Sequence, residues 1–291
     1  MIKEYTIHDV CEYINWIYFF HAWGFSAKFA TIADIHTCEA CYSQWVHSFP
    51  QEERAKAKEA IQLFQEAKNI LRGMDKTTKA SAIFCLLETN ADGDDLIIGK
   101  QRIPLLRQQM ATSDHQPLVC LSDFIRPIQK GVIDHIGIFA TTIQNSNLAS
   151  DENQLLIQTL ADRLAEATAE RLHLEVRKEL WGYAPDESLS IKELFQGKYQ
   201  GIRPAIGYPS LPDLSINFIL DQLIDMKQIG ITLTDNGMMI PHASVSGFMI
   251  AHPQAYYFSV GKIDKQQLSD YARRRGFDIE TTQKFLLGNI I

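Results

Sequence analysis

The sequence is short of cysteine, of long apolar runs and of excess positive charge, and each shortage removes a class of function. The five cysteines, Cys11, Cys38, Cys41, Cys85 and Cys120, are odd in number and unevenly spaced. That is not the framework of a disulfide-stapled secreted domain; it matches cytosolic usage. The most apolar early run, Ile14 to Phe25, is broken by Asn15, His21 and Gly24, and it falls well short of the roughly 20 apolar residues a membrane span needs. Met1 to Tyr5 shows no basic stretch leading into an apolar one, so no signal peptide is expected and the chain reads as cytoplasmic. Lys and Arg total 28 against 35 Asp and Glu, a formal net charge of −7. Phosphate backbones are held by clustered cations, so nucleic acid is excluded as a partner. No internal repeat and no low-complexity tract is visible.

What is there suffices for a sizeable core: 291 residues, 46% of them hydrophobic. Residues 51–72 predict a helix, with Ala60, Leu63, Phe64, Ala67 and Leu71 at three- and four-residue steps. Ala82 to Leu87 reads as a strand, followed by an Asp92-Gly93 turn and Leu96-Ile97-Ile98, a hairpin signal. Ile136 to Ile143 is another strand. Residues 152–180 carry the strongest helix pattern, with Ile157, Leu160, Leu164, Ala167 and Leu174 on one face. A further helix is expected over Leu214 to Gln228, and one over Asp264 to Arg275 with Gly276 as its cap. Ser246 to Ile250 and Tyr256 to Val260 are expected to pair around a His252-Pro253 turn. Strands come in hairpins and helices are grouped between them, so the fold class is α+β: a mainly antiparallel twisted sheet flanked by helices, not a doubly wound parallel one. Residues 1–150 form a helical and hairpin part and 151–291 a part carrying the binding motifs, read together as one continuous domain.

The segment 203–213 has the makings of a small-molecule site: rigid backbone, a polar anchor and flat apolar surface. Pro204, Pro209 and Pro212 fix φ, and Gly207 permits a sharp turn or close approach. Arg203 offers a planar fork of donors suited to a carboxylate. Tyr208 offers a ring that can stack on a base or face a cation. A ligand with both a carboxylate and a cation would suit this set. Composition alone favours the plainer reading, a proline- and glycine-rich surface loop with a structural arginine.

The surrounding residues change that balance. Trp181-Gly182-Tyr183-Ala184-Pro185, Glu187, Leu189, Ser190, then Tyr199 to Ala205 with Gly207-Tyr208-Pro209, closely resemble the activation domain of cobalamin-dependent methionine synthase. So do Leu160 to Ala167, Ala243-Ser244-Val245-Ser246-Gly247 with His252-Pro253, and Tyr271-Ala272-Arg273-Arg274 with Gly276. The similarity is dense over 155–286; over 1–150 it rests on Trp16, Phe19, Phe20 and Trp23.

The resemblance implies a job. A domain of this kind holds S-adenosylmethionine as methyl donor while flavodoxin or another reductase supplies an electron, and oxidised cob(II)alamin returns to methylcobalamin. It implies that Arg203 grips the methionine carboxylate and that Pro204, Ala205, Gly207 and Tyr208 form the binding loop. Glu187 would stand near the site, and Tyr257 with Phe258 would border the ligand, Phe258 replacing a usual tyrosine. Asn15 stands where the family usually has a ligand-contacting aspartate, so binding is expected to be weaker. No general acid or base is implied, because the module's work is positioning.

Asp134-His135-Ile136-Gly137 does not have the spacing of the cobalamin-ligating signature. Cobalamin, like homocysteine and folate, is therefore expected on a partner chain. The alternative is a sensing or docking module that binds S-adenosylmethionine without reductive methylation. A self-sufficient Rossmann-type methyltransferase is the least favoured alternative, since no glycine-rich turn follows a first strand. His36, Cys38, Cys41 and His47 invite a zinc reading, but the spacing follows no known finger; the expectation is a helix with incidental thiols and no metal. Arg273-Arg274-Arg275 is expected mainly to complement a helix dipole, with an acidic electron carrier as the other possibility.

Overall fold

The architecture follows from one long strand. In the computed structural model, which describes residues 1–109, 117–144, 153–286 and 288–290, β2 (Lys79–Asp92) pairs along most of its length with β5 (Asp134–Gln144), from Lys79 opposite Gln144 to Thr89 opposite Asp134. The other edge of β2 is shared. β1 (Ile2–Tyr5) takes its start and β3 (Asp95–Ile98) its end, the latter through a turn over Gly93-Asp94 at the expected Asp92-Gly93 hairpin. β4 (Gln101–Pro104) extends β3, and β8 (Ser244–Met249) pairs with the outer edge of β5. A separate two-stranded ribbon joins β6 (Thr232–Leu233) and β7 (Met239–Ile240). All these pairings are antiparallel. The fold is α+β, as expected, and the main sheet draws strands from both halves of the chain. The expected boundary at residue 150 lies outside the described residues.

Both faces of this sheet are covered, because period-two alternation sends successive side chains to opposite sides. Ala80, Ala82, Phe84, Phe139, Val245 and Met249 join a core under the helices α1 (Ile7–Cys11), α2 (Trp16–Ala22), α3 (Glu39–His47), α4 (Arg54–Met74) and α5 (Gln154–Glu175). Ile83, Ile136, Ile138, Phe248 and Ile250 point the other way, to a second core with α7 (Ile216–Ile224). A short helix, α6 (Ile191–Phe195), precedes the glycine-rich segment. The chain closes with α8 (Lys265–Arg275), capped by left-handed Gly276, and α9 (Ile279–Phe285).

Three expectations need correction. The helix expected to 180 is α-helical only to Glu175; Val176–Leu180 is a π-turn, with the Trp181 and Gly182 N–H groups both donating to the Val176 carbonyl. The helix expected over 214–228 ends at Ile224, because Asp225 is left-handed (φ 51°), and a 3-10 turn over Met226–Ile229 follows. Residues 256–260 are not a strand. The edge of β8 they were expected to occupy is taken by residues 202–206, which bond to it from Ile250 back to Ser246. The three arginines at the end of α8 are paired within the chain, Arg273 and Arg274 with Asp270, Arg274 also with Asp95, and Arg275 with Asp213. That leaves little free charge to attract an acidic carrier.

The approach of residues 204–205 to β8 is close enough to require glycine at 247: a Cβ there would lie 2.2 Å from the Pro204 carbonyl oxygen. Gly247→Ala is expected to destabilise the protein by about 3 kcal/mol, since backbone, not a movable side chain, stands in the way. Urea denaturation would show it, and an unchanged midpoint would mean the segment is not seated as described.

Candidate functional site

Residues 201–206 behave as an extra edge strand interrupted by a proline. The Ile202 N–H donates to the Ile250 carbonyl and the Ile250 N–H returns the bond, both at 2.9 Å. The Phe248 N–H donates to the Pro204 carbonyl at 3.0 Å and the Ile206 N–H to the Ser246 carbonyl at 2.9 Å. Proline is tolerated here because only its carbonyl is used. Ile202 and Ile206 are anchored in the second core. Arg203, between them, is turned toward α5, with its guanidinium near the Phe139 ring. Gly207, left-handed at φ 86°, then folds the chain back so that its N–H meets the Leu211 carbonyl at 2.8 Å.

Helix α5 meets this loop with acids. Asp162, Glu166 and Glu170 recur every four residues, a spacing at which like charges repel. Partners from three loop positions offset the repulsion. Arg203 Nη2 donates to Glu170 Oε2 at 3.1 Å, and its Nη1 lies 3.9 Å from Glu166 Oε2. The Tyr208 hydroxyl donates to Glu166, and His242 Nδ1 lies 3.2 Å from Asp162. Burial opposes the charge on Arg203, but Glu170 and the neighbouring tyrosine hydroxyls outweigh it and hold the guanidinium protonated.

A second layer fixes the backbone of Arg203. Its N–H donates to the Tyr257 hydroxyl at 2.9 Å, and that oxygen lies 3.2 Å from the Tyr199 hydroxyl. The Tyr199 ring meets the edge of His173 and lies beneath Arg177, whose Cζ is 4.3 Å from the ring centroid. Arg177, in the π-turn, is wholly buried, and Glu187 accepts from its Nε and Nη2 at 2.8 Å each. His173 is also wholly buried, with its Nε2 3.2 Å from the Tyr183 hydroxyl. Burial first, then the charges of Arg177 and Arg203, push its pKa far below 6.5, so the ring is neutral at physiological pH.

The chain as a whole has known counterparts. The profile of the family described as vitamin B12 dependent methionine synthase, activation domain, matches residues 6–276. The crystal structure of the MetH reactivation domain bound to AdoHcy superposes with a TM-score of 0.84 at 34% identity, over 100% of this chain and 90% of that one. The chain belongs to the methionine synthase activation-domain family.

Of the residues that the activation-domain resemblance singles out, the fold brings together Arg203, Pro204, Ala205, Gly207, Tyr208 and Tyr257. The other three have partners of their own within the chain. Asn15 is the N-cap of α2, its Oδ1 accepting from the Ile17 N–H at 3.1 Å. Glu187 faces inward and its carboxylate is engaged by Arg177. Phe258 packs its ring beside Tyr256 and against both the second core and the small core around Val260 and Tyr271. Tyr257 thus reaches the Arg203 backbone and Phe258 does not. Sequence reasoning missed Glu166, Glu170 and Tyr199. The four-residue acid ladder was the available signal, hidden because such a stripe usually marks a solvated helix face.

The thiol-bearing segment brings three of its four candidate residues together. His36, Cys38 and Cys41 offer ligand atoms that all lie within 4.8 Å of one another. His47 stays apart, its Nδ1 bonded to the Ser43 carbonyl at 2.7 Å. Hydrogen bonds from Cys41 and then His36 draw the Cys38 thiol down to about 7.

His173 makes the stability of this site pH-dependent. Its folded pKa lies far below its unfolded value of 6.5, so below that pH the unfolded chain takes up a proton that the folded one refuses. The native protein should therefore lose about 1.4 kcal/mol per pH unit between pH 6.5 and roughly pH 5, relative to His173→Gln. Denaturation midpoints across that range test it; parallel profiles for the two proteins would contradict it.

Proposed function

We propose that this chain is a reactivation module that binds S-adenosylmethionine as methyl donor for cobalamin held by a module outside residues 1–291, with an electron delivered by flavodoxin or another reductase. The observation that carries the reading is a mismatched pair of atoms at Arg203. Arg203 Nε and Glu170 Oε1 are buried and have no hydrogen-bond partner among protein groups. A donor and an acceptor so placed suit the carboxylate and ammonium of an amino-acid end, and leaving them unmet would cost about 1–3 kcal/mol each. Beside them, Tyr208 and Tyr257 remain 46% and 48% exposed as residues, and their rings offer flat apolar surface of the kind that takes a base or a sulfonium. The relative bound to AdoHcy supports the same ligand class.

S-adenosylmethionine supplies a methyl group already activated on sulfur. This chain's residues bind and orient it. Arg203 takes the carboxylate, with its charge balanced beforehand by Glu170 and Glu166. Pro204, Ala205 and Gly207 hold the loop rigid, and Tyr208 and Tyr257 bound the ligand. Glu187 acts through Arg177 and Tyr199 as a positioning residue. Asn15 caps α2 without the charge an aspartate would bring, so it weakens rather than abolishes binding.

Calorimetry with S-adenosylmethionine tests the binding step. Arg203→Lys keeps a counter-charge for Glu170 but removes the planar fork; affinity should fall at least about 30-fold, or about 2 kcal/mol. Asn15→Asp should bind more tightly than the native chain. For the activity, the chain is mixed with a cobalamin-bearing methionine synthase module, S-adenosylmethionine and reduced flavodoxin, and the cobalamin spectrum is followed. Conversion of cob(II)alamin to methylcobalamin is expected. Binding without conversion would leave only a sensing role, and unchanged affinity in Arg203→Lys would make the loop structural.

A further inference from the structure

The segment between the 3-10 helix Ala27–Asp34 and α3 folds three soft or borderline donors into one place, on different elements from the Arg203 site. Two local backbone bonds do this. The Cys38 N–H donates to the His36 carbonyl at 2.8 Å, a tight turn that brings His36 back over Cys38. The Tyr42 N–H donates to the Cys38 carbonyl at 3.0 Å, the first turn of α3, which stacks Cys41 above Cys38. The Cys41 N–H donates to Cys38 Sγ at 3.3 Å, fixing that sulfur as the helix cap. The donors are thus gathered by backbone geometry rather than by chance contact of long side chains.

We propose that His36, Cys38 and Cys41 form a binding site for a thiophilic divalent cation of the zinc class. Two thiolates and an imidazole select such an ion over magnesium or calcium, which prefer oxygen. In a tetrahedral zinc site, metal–ligand bonds of about 2.0–2.3 Å put ligand atoms about 3.4–3.8 Å apart. The three donors already lie within 4.8 Å of one another, so small side-chain rotations close the shell. His36 is exposed and both cysteines are only partly covered, which leaves a fourth position for water or a donor from another molecule. The ion would tie the connection after the 3-10 helix to the start of α3. Thiolate and neutral imidazole are the ligating forms, so binding releases protons and strengthens with pH.

The test uses the full chain, reduced and stripped of metal, titrated with Zn2+ against a chromophoric chelator and separately with Co2+. One equivalent should bind, with thiolate-to-cobalt charge-transfer bands. Removing a metal ligand should cost more than the 10- to 100-fold typical of supporting residues. Cys38→Ser and Cys41→Ser are therefore each expected to lower affinity at least about 100-fold. His36→Ala, the loss of the third ligand, should likewise lower it at least about 100-fold. Cys11→Ser, elsewhere in the fold, should bind as the native chain does. Circular dichroism checks that each variant folds. Absence of saturable Zn2+ binding, binding indifferent to any of the three substitutions, or a Cys38–Cys41 disulfide forming in place of metal binding would each overturn the proposal. S-adenosylmethionine affinity, measured alongside, should not depend on these substitutions.

Discussion

Everything at the candidate site depends on the backbone of residues 202–206 lying against the edge of β8. That contact is made by main-chain hydrogen bonds and by the absence of a side chain at Gly247. It fixes which way each residue of the segment points. Ile202 and Ile206 go down into the second core, and Arg203 is left facing α5. A guanidinium held that rigidly loses little freedom on meeting a ligand, which is the main economy a preformed site offers. The remainder of the network follows from balancing its charge. Glu170 and Glu166 come from α5, and Tyr257 with Tyr199 secure the Arg203 backbone.

The buried groups behind Arg203 gather at the end of α5. Arg177, in the π-turn at Val176–Leu180, sits between Tyr199 and Glu187. A buried ion pair of this kind contributes little net stability, yet breaking it is costly, so it specifies one arrangement rather than strengthening it. The uncharged His173 alongside adds packing without a third positive charge.

Most of the fold was legible in the sequence. The apolar run of β2, the Asp-Gly turn after it, the helical spacing of α4 and α5, and Gly276 as a cap all follow local rules that tertiary packing did not override. The failures have non-local causes. Residues 256–260 are rich in aromatic and β-branched residues that favour strands, but the place beside β8 was taken by a proline-bearing segment that no strand pattern announces. The site itself was half legible. Arg203 and its loop stand out in composition. Their meaning depended on Glu166 and Glu170, which lie more than thirty residues upstream and read locally as solvated helix surface. Asn15 and Glu187 were legible only by resemblance, and the structure gives each a local partner that the sequence did not suggest.

The central claim is that Arg203, preset by β8 and neutralised by α5, is where S-adenosylmethionine is held. A crystal structure of the chain grown with that ligand tests it most directly. The account predicts the ligand's carboxylate on the Arg203 guanidinium and its ammonium near Glu170, with residues 202–206 unmoved on β8 and the Tyr208 and Tyr257 rings against the ligand. A ligand found elsewhere, with Arg203 still joined only to Glu170 and Glu166, would contradict it.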